Sequence, residues 1–297
     1  MLSPTTVISL GVLTLEAITG LCSNFFIIIS LIISAYNEKY FAPYSRILIA
    51  LCVSNVGYTL LMSANIVIGF VHPLLSSAPF AMYIVNYMTL FSIISSTWLT
   101  CCLCFFYFIK IVQFQPGFLA WVKMKIETIL PWMILTVELI SLSESFLALL
   151  VYDQESANNS TMSMDEMTSE PHKLILNFTI LALILFSLPL SVSILSMAVS
   201  AWFLKQHSGH IERNVKVSKA GAKDYQSAVR TMSCLILFYA LMYLVTLLLG
   251  LPVFDSQSWG YWMCVMGLFS FALVQSSLLI SGNPKLKAAW RQMFTCK

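Results

Sequence analysis

Three carboxylates interrupt otherwise apolar runs of this chain: Glu16, Glu138 and Glu144. A carboxylate at membrane depth is costly and normally faces a protein interior, in a hydrogen-bond network or along an ion path. Glu16, Gly20 and Asn24 are spaced by four and share one helix face. Gly20 there lets a neighbouring helix approach closely. That face reads as an interhelical polar network, with a conformational switch as the sharper alternative. Glu144 reads as a solvated acid near a helix end. His207 and His210 are three residues apart, but no cysteine or carboxylate pattern accompanies them. They read as part of a solvated loop, so no metal and no cofactor is expected. The chain has no HExxH, no GxSxG and no glycine-rich phosphate loop, so enzyme chemistry is not expected. A second polar set suits ligand binding rather than catalysis. Asn86, Thr89, Leu90 and Ile93 form an i, i+3, i+4, i+7 stripe, and Asn65 lies in the preceding apolar run. A few polar groups on an apolar wall are what orient a small molecule in a pocket. Several methionines, Met242 and Met266 among them, add adaptable surface.

The elements that carry these residues are membrane spans. The 297 residues are 59% hydrophobic and only 10% charged. A soluble domain of that length needs more charge on its surface, so the composition indicates a polytopic membrane protein. No basic domain marks a nucleic-acid partner. A span needs about 20 mainly apolar residues. Seven segments qualify: Val7–Ser34, Ile47–Val71, Phe80–Ile109, Ile129–Val151, Leu174–Leu204, Val229–Leu251 and Gly260–Ser281. The expectation is an all-α membrane protein, a single seven-helix domain over residues 1–297. No internal repeat is apparent, which argues against an inverted-repeat transporter.

Of the sixteen Lys and Arg residues, all but Lys173 fall in the first, third and fifth connections or in the tail. The positive-inside rule therefore puts the N-terminus outside and the C-terminus in the cytosol. The loop Tyr152–Lys173 carries five acids and two overlapping sequons, at Asn158 and Asn159, so glycosylation is expected there. Seven of the eight cysteines lie within apolar segments and none in an outer loop, so no outer-loop disulfide is expected. Asn283-Pro284 ends the last span. Leu286, Trp290, Met293 and Phe294 then alternate with Lys285, Lys287 and Arg291, the pattern of a short amphipathic helix on an anionic inner leaflet.

Longer motifs sit on these spans. Glu16-x3-Gly20-x3-Asn24-Phe25-Phe26-Ile27 lies in the first. In the third, Trp98-Leu99-Thr100 runs on to Phe106-Tyr107-Phe108-Ile109-Lys110-Ile111-x2-Phe114. Leu188-Pro189-Leu190-Ser191 and Leu204-x2-His207 belong to the fifth, and Ala228-Val229-Arg230 opens the sixth. Gln275-Ser276-x2-Leu279-Ile280-x2-Asn283-x-Lys285-Leu286-Lys287 closes the seventh. In this order they are similar to the pattern of the type 2 bitter taste receptors, a family of G-protein-coupled receptors, over nearly the whole chain.

That resemblance implies a small, mostly apolar agonist binding between the outer halves of the helices, against Asn65, Asn86, Thr89, Ile93 and Val265. It implies a heterotrimeric G protein of the gustducin/Gi type at the inner face, against Lys110, Phe114, His207 and Arg230. It also implies a plasma-membrane receptor. The departures bear on ligand preference and on the polar network. Thr89 stands where many members have a tryptophan, and Ile93 replaces an asparagine. Asn55 stands where the family usually has an arginine, so the link through Glu16, Asn24 and Asn55 lacks its usual cation. Tyr225 and Gln275 each replace a histidine. A vomeronasal type 1-like chemoreceptor is the nearest alternative, and the Asn283-to-Lys287 run argues against it. A small transporter is the alternative from another class, and the lack of any buried cation to pair with the three acids argues against that.

Overall fold

The computed structural model describes residues 4–71, 79–112, 117–160, 184, 187–203, 219–250 and 258–294. These residues form α1 (Pro4–Glu38), α2 (Pro43–Val71), α3 (Pro79–Ile111), α4 (Phe118–Ser160), α5 (Ser187–Phe203), α6 (Lys219–Gly250), α7 (Trp259–Phe269), α8 (Phe271–Gly282) and α9 (Pro284–Phe294). No strand occurs among the described residues. By length and composition α1 to α4 and α6 can each cross a membrane, the bent pair α7–α8 can form one more span, and α5 is a shorter apolar helix. The protein is therefore an all-α membrane protein.

Local chemistry explains several helix ends. α1, α2, α3 and α9 each open on a proline. Its fixed φ and missing N–H suit the first helical position. Asn283 ends α8 in an extended conformation, and its Oδ1 accepts from the backbone N–H groups of Lys285 and Leu286 at 3.0 and 3.4 Å. One residue thus stops the last span and caps the tail helix. Lys123 of α4 donates to the carbonyls of Lys110 and Val112 at 3.3 and 2.8 Å, satisfying acceptors that the end of α3 leaves open.

α3 is the central helix. Its most apolar stretch is 72% buried, against 22–39% for the other long helices. It packs on α2 and α4, and the pair α1–α8 closes the opposite side. The core runs through Ile27, Ile47, Leu99, Leu103, Leu130 and Leu235. Outward faces are apolar too: Leu15, Ile18, Leu60, Leu139, Leu195 and Leu237 are exposed on five different helices. Apolar surface on all sides suits a lipid solvent. Gly20 performs the expected close approach. A Cβ built there would meet the Leu273 backbone nitrogen at 3.6 Å, so α1 and α8 pack nearly backbone to backbone.

Several boundaries differ from the hydropathy reading, and α6 starts at Lys219 rather than Val229. α4 starts at Phe118 rather than Ile129 and continues to Ser160 rather than Val151. Hydropathy marks the hydrocarbon, whereas a helix continues as long as its backbone ladder does. Asn158 and Asn159 accordingly fall in the last turn of α4. Glu144 lies well inside the helix, and it is half-buried rather than a solvated end acid. The bent pair is not a straight span: α7 and α8 meet at Ser270 at 45°. The Tyr58 hydroxyl of α2 donates to the freed Leu268 carbonyl at 3.1 Å, and Ser270 Oγ donates to the Gly267 carbonyl at 2.7 Å. A neighbouring helix and a local hydroxyl thus satisfy what the bend exposes.

Candidate functional site

A chain of neutral polar side chains crosses the middle of the bundle. Asn24 Nδ2 donates to the Gly20 and Ala272 carbonyls at 2.8 and 3.2 Å. Its Oδ1 accepts from Asn55 Nδ2 at 3.2 Å. Ser96 Oγ lies 2.9 Å from Asn55 Oδ1 and 3.1 Å from Gln275 Oε1, with one proton to share between them. Gln275 Nε2 donates to Thr100 Oγ1 and to Tyr239 Oη, both at 2.9 Å. Tyr239 also reaches the Ser96 carbonyl at 3.3 Å. Ser23 and Ser276 pair at 2.6 Å beside this line. Gln275 is fully buried, and both its amide ends are engaged. No charge is needed. The network joins α1, α2, α3, α6 and α8 through amides and hydroxyls, and Asn55 makes a neutral link in it, in keeping with the missing cation noted in the sequence.

Glu16 lies two turns outward of Asn24. Its Oε2 is buried and has no hydrogen-bond partner among the described residues. The other two carboxylates tie α4 to α3. Glu138 accepts from Ser95 Oγ at 2.9 Å on both oxygens, and Ser95 pairs with Ser54 of α2 at 2.9 Å. Glu144 accepts from Trp98 Nε1 at 3.0 Å.

Beside the network is a cavity lined by Ile93 and Thr97 of α3, Leu190 of α5, Tyr239, Met242, Tyr243 and Thr246 of α6, Leu268 of α7 and Phe271 of α8. Its free volume is about 30 Å³. That holds about one water, whereas pockets for small molecules span roughly 300–1,000 Å³. The cavity is thus too small for such a ligand. Tyr239 belongs to both features: its ring forms wall, edge-on to Phe271 at 5.4 Å, and its hydroxyl is a network node.

The residues expected to bind ligand do not form one cluster. Ile93 lines the cavity. Asn65 donates to Thr89 Oγ1 at 3.4 Å, between α2 and α3, and its Oδ1 is buried without a partner among the described residues. Val265 packs with Leu13 and Trp262 between α1 and α7. Asn86 is exposed. Thr97, Tyr239, Leu268 and Phe271 were missed. One signal was present for the network: Ser92, Ser96 and Thr100 recur every four residues in an apolar span.

At the other end, Lys110 is half-buried, 3.7 Å from Glu127 and over the Phe106 ring at 5.7 Å. Arg230 is exposed on α6. Phe114 and His207 lie outside the described residues. On α9, Leu286 is buried, Trp290 meets Phe26 edge-on at 4.7 Å, and Met293 is exposed. Lys285 pairs with Glu38 at 2.7 Å, which raises the lysine above its ordinary range. Among the described residues no three His, Cys, Asp or Glu side chains converge on a metal position. The seven described cysteines are all free thiols.

Comparison with known proteins supplies what geometry does not. A family model described as "Taste receptor protein (TAS2R)" matches residues 1–297. Taste receptor type 2 member 39 of Macaca mulatta is 25% identical over 290 residues, covering 96% of this chain and 86% of that protein. The human member 39 is 25% identical over 289 residues, covering 96% and 85%. Taste receptor type 2 member 42 of Macaca mulatta is 27% identical over 304 residues, covering 94% and 91%.

Proposed function

This chain belongs to the taste receptor type 2 family, which are G-protein-coupled bitter taste receptors and not enzymes, and from that premise we propose how it detects its agonist. It is a single seven-span domain of the plasma membrane, with the N-terminus outside and a glycan on Asn158 or Asn159. Its agonist is a small, mostly apolar bitter compound. The observation that carries this reading is the narrow cavity with Tyr239 shared between its wall and the polar network. Its nearly all-apolar wall, with Thr97, Thr246 and two tyrosine hydroxyls, suits such a ligand.

A ligand many times larger than 30 Å³ can enter only by moving the walls. Binding then favours whichever bundle has the opened cavity, and the population shifts by the difference in affinity between the two bundles. Displacing the Tyr239 ring strains its three hydroxyl contacts, which couples the cavity to α3 and α8. Asn65 and Thr89 border the entry from the α2 side, with Ile93 below them. Asn86 and Val265 are the outer contributors.

At the inner face, Lys110, Phe114, His207 and Arg230 border the mouth that opens as the inner ends of α3, α5 and α6 part, and a gustducin/Gi-type G protein inserts there. Lys110 serves that mouth only after leaving Glu127. The basic face of α9 rests on anionic lipid. A panel of bitter compounds, applied to cells expressing the receptor with one G protein at a time, tests this. Calcium or cAMP responses that depend on both compound and G protein support it, and solute uptake without a G protein would overturn it.

A further inference from the structure

The first half of α6 and the end of α8 meet with no side chain between them on the α8 side. Gly282, the last residue of α8, faces Thr231 of α6. A methyl group built on Gly282 would overlap Thr231 Oγ1 and lie 2.6 Å from Thr231 Cβ. Turning Thr231 about χ1 relocates Oγ1 and Cγ2 but leaves Cβ where it is. Carbon atoms pack at about 3.5–4.0 Å, so any side chain at position 282 forces the two helices apart by roughly 1 Å. The backbone itself does not call for glycine here, because Gly282 has no positive φ. The contact does. Two hydrogen bonds seat it: Ser227 Oγ donates to the Gly282 carbonyl at 3.3 Å, and Thr231 Oγ1 donates to the Ser227 carbonyl at 3.0 Å. The Gly282 carbonyl belongs to the last turn of α8, where a helix leaves its acceptors open. α6 thus supplies a donor to the end of α8 and a buried threonine to its only side-chain-free surface.

We propose that Gly282, Thr231 and Ser227 form a latch that holds α6 against the end of the seventh span in the resting receptor, and that its release is required for the inner mouth to open. These are positioning residues, since none of them lines the cavity. The inference rests on the receptor reading above, in which opening parts α6 from its neighbours. Opening α6 breaks the Ser227 bond and unseats Thr231, so anything that weakens the seat favours the open state.

The test combines agonist-independent signalling, normalised to receptor at the cell surface, with a readout that needs no G protein. Gly282→Ala should raise basal signalling several-fold, up to roughly tenfold. Adding Thr231→Gly, which removes the Cβ in the way, should return it towards the wild-type level. A merely damaged bundle would lose signal, and a second damaging change would not restore it. Ser227→Ala, which deletes only the hydrogen bond, should give a smaller rise of about twofold and covers the case in which Gly282→Ala does not reach the surface. In purified receptor, the thiol of Ser227→Cys should react with a bulky maleimide several times faster when Gly282→Ala is also present. Unchanged basal signalling in surface-expressed Gly282→Ala and Ser227→Ala, with agonist responses intact, would overturn the latch. If the wild type showed no G-protein signalling at all, the receptor reading would fail. The labelling rates would still decide the latch, equal rates refuting it.

Discussion

Removing a single oxygen from Tyr239 tests the link between cavity and network. Tyr239→Phe keeps the ring against Phe271 and leaves the apolar wall unchanged. It deletes three contacts: the one with Thr100 Oγ1 at 2.9 Å, the one from Gln275 Nε2 at 2.9 Å and the one to the Ser96 carbonyl at 3.3 Å. Interhelical hydrogen bonds in membrane proteins contribute about 0.6 kcal/mol each, so the loss is ~2 kcal/mol. The partners limit further damage. Thr100 still donates to the Ser96 carbonyl and still accepts from Gln275, so no larger penalty for a stranded buried group is added. At about 2–4 °C per kcal/mol, the melting temperature of purified receptor should fall by roughly 4–8 °C. Tyr243→Phe is the matched control. It lines the same cavity, but its hydroxyl makes none of these bonds, so its melting temperature should move by about 1 °C at most. A thiol-reactive fluorophore melt suits this protein, because most of its cysteines are buried free thiols. Equal shifts in the two variants, or no shift in Tyr239→Phe, would refute the assignment of Tyr239 as a network node.

Three further outcomes follow from the same geometry. Tyr58→Phe removes the side-chain donor to the Leu268 carbonyl at the bend between α7 and α8. Because Leu268 and Phe271 flank that bend and line the cavity, agonist potency should fall about tenfold in dose–response curves while surface expression is retained, a shift equal to ~1.4 kcal/mol. Thr89→Trp fills the space beside Asn65 and breaks their 3.4 Å contact; it should change the rank order of agonists across a bitter-compound panel, and an unaltered ranking would place the ligand elsewhere. Lys285→Ala removes an exposed ion pair with Glu38 and should leave the melting temperature unchanged within error. Because Glu38 raises the Lys285 pKa, the pair is complete below the ordinary lysine range and is lost as pH rises through the raised value. Wild type and variant should therefore keep the same small difference in melts between about pH 7 and 9.

The membrane class was legible because long apolar runs and sparse charge leave few alternatives. The end of the last span was legible at Asn283, where a residue type dictates it, whereas hydropathy placed the starts of α2 and α3 at Ile47 and Phe80 and passed over Pro43 and Pro79. Helix ends were not legible on α4, where Lys123, Lys125 and Glu127 lower the hydropathy without interrupting the helix. The bend at Ser270 had no proline to announce it. The Tyr58 hydroxyl that bonds to its Leu268 carbonyl is 210 positions away in sequence, and such pairings belong to packing rather than to local pattern. Asn24 and Gly20 could be read from their spacing, since each acts on whatever helix lies opposite. Gln275 stood out only as a departure from the family pattern. Its partners, Thr100 and Tyr239, lie on two other helices. The cavity wall was hardest to foresee, because Leu268 and Phe271 look like any other residues of an apolar span until the bend turns them inward.

The central claim is that filling the narrow cavity drives G-protein activation. Nucleotide exchange on a gustducin/Gi-type heterotrimer tests it most directly. The assay uses purified wild-type receptor in lipid nanodiscs, with and without compounds from a bitter panel. The account predicts that at least one compound accelerates exchange, and that Tyr239→Phe, with its cavity wall intact, changes the compound-dependent acceleration relative to Tyr243→Phe. A compound that binds the receptor with no effect on exchange by any G protein tested would contradict it.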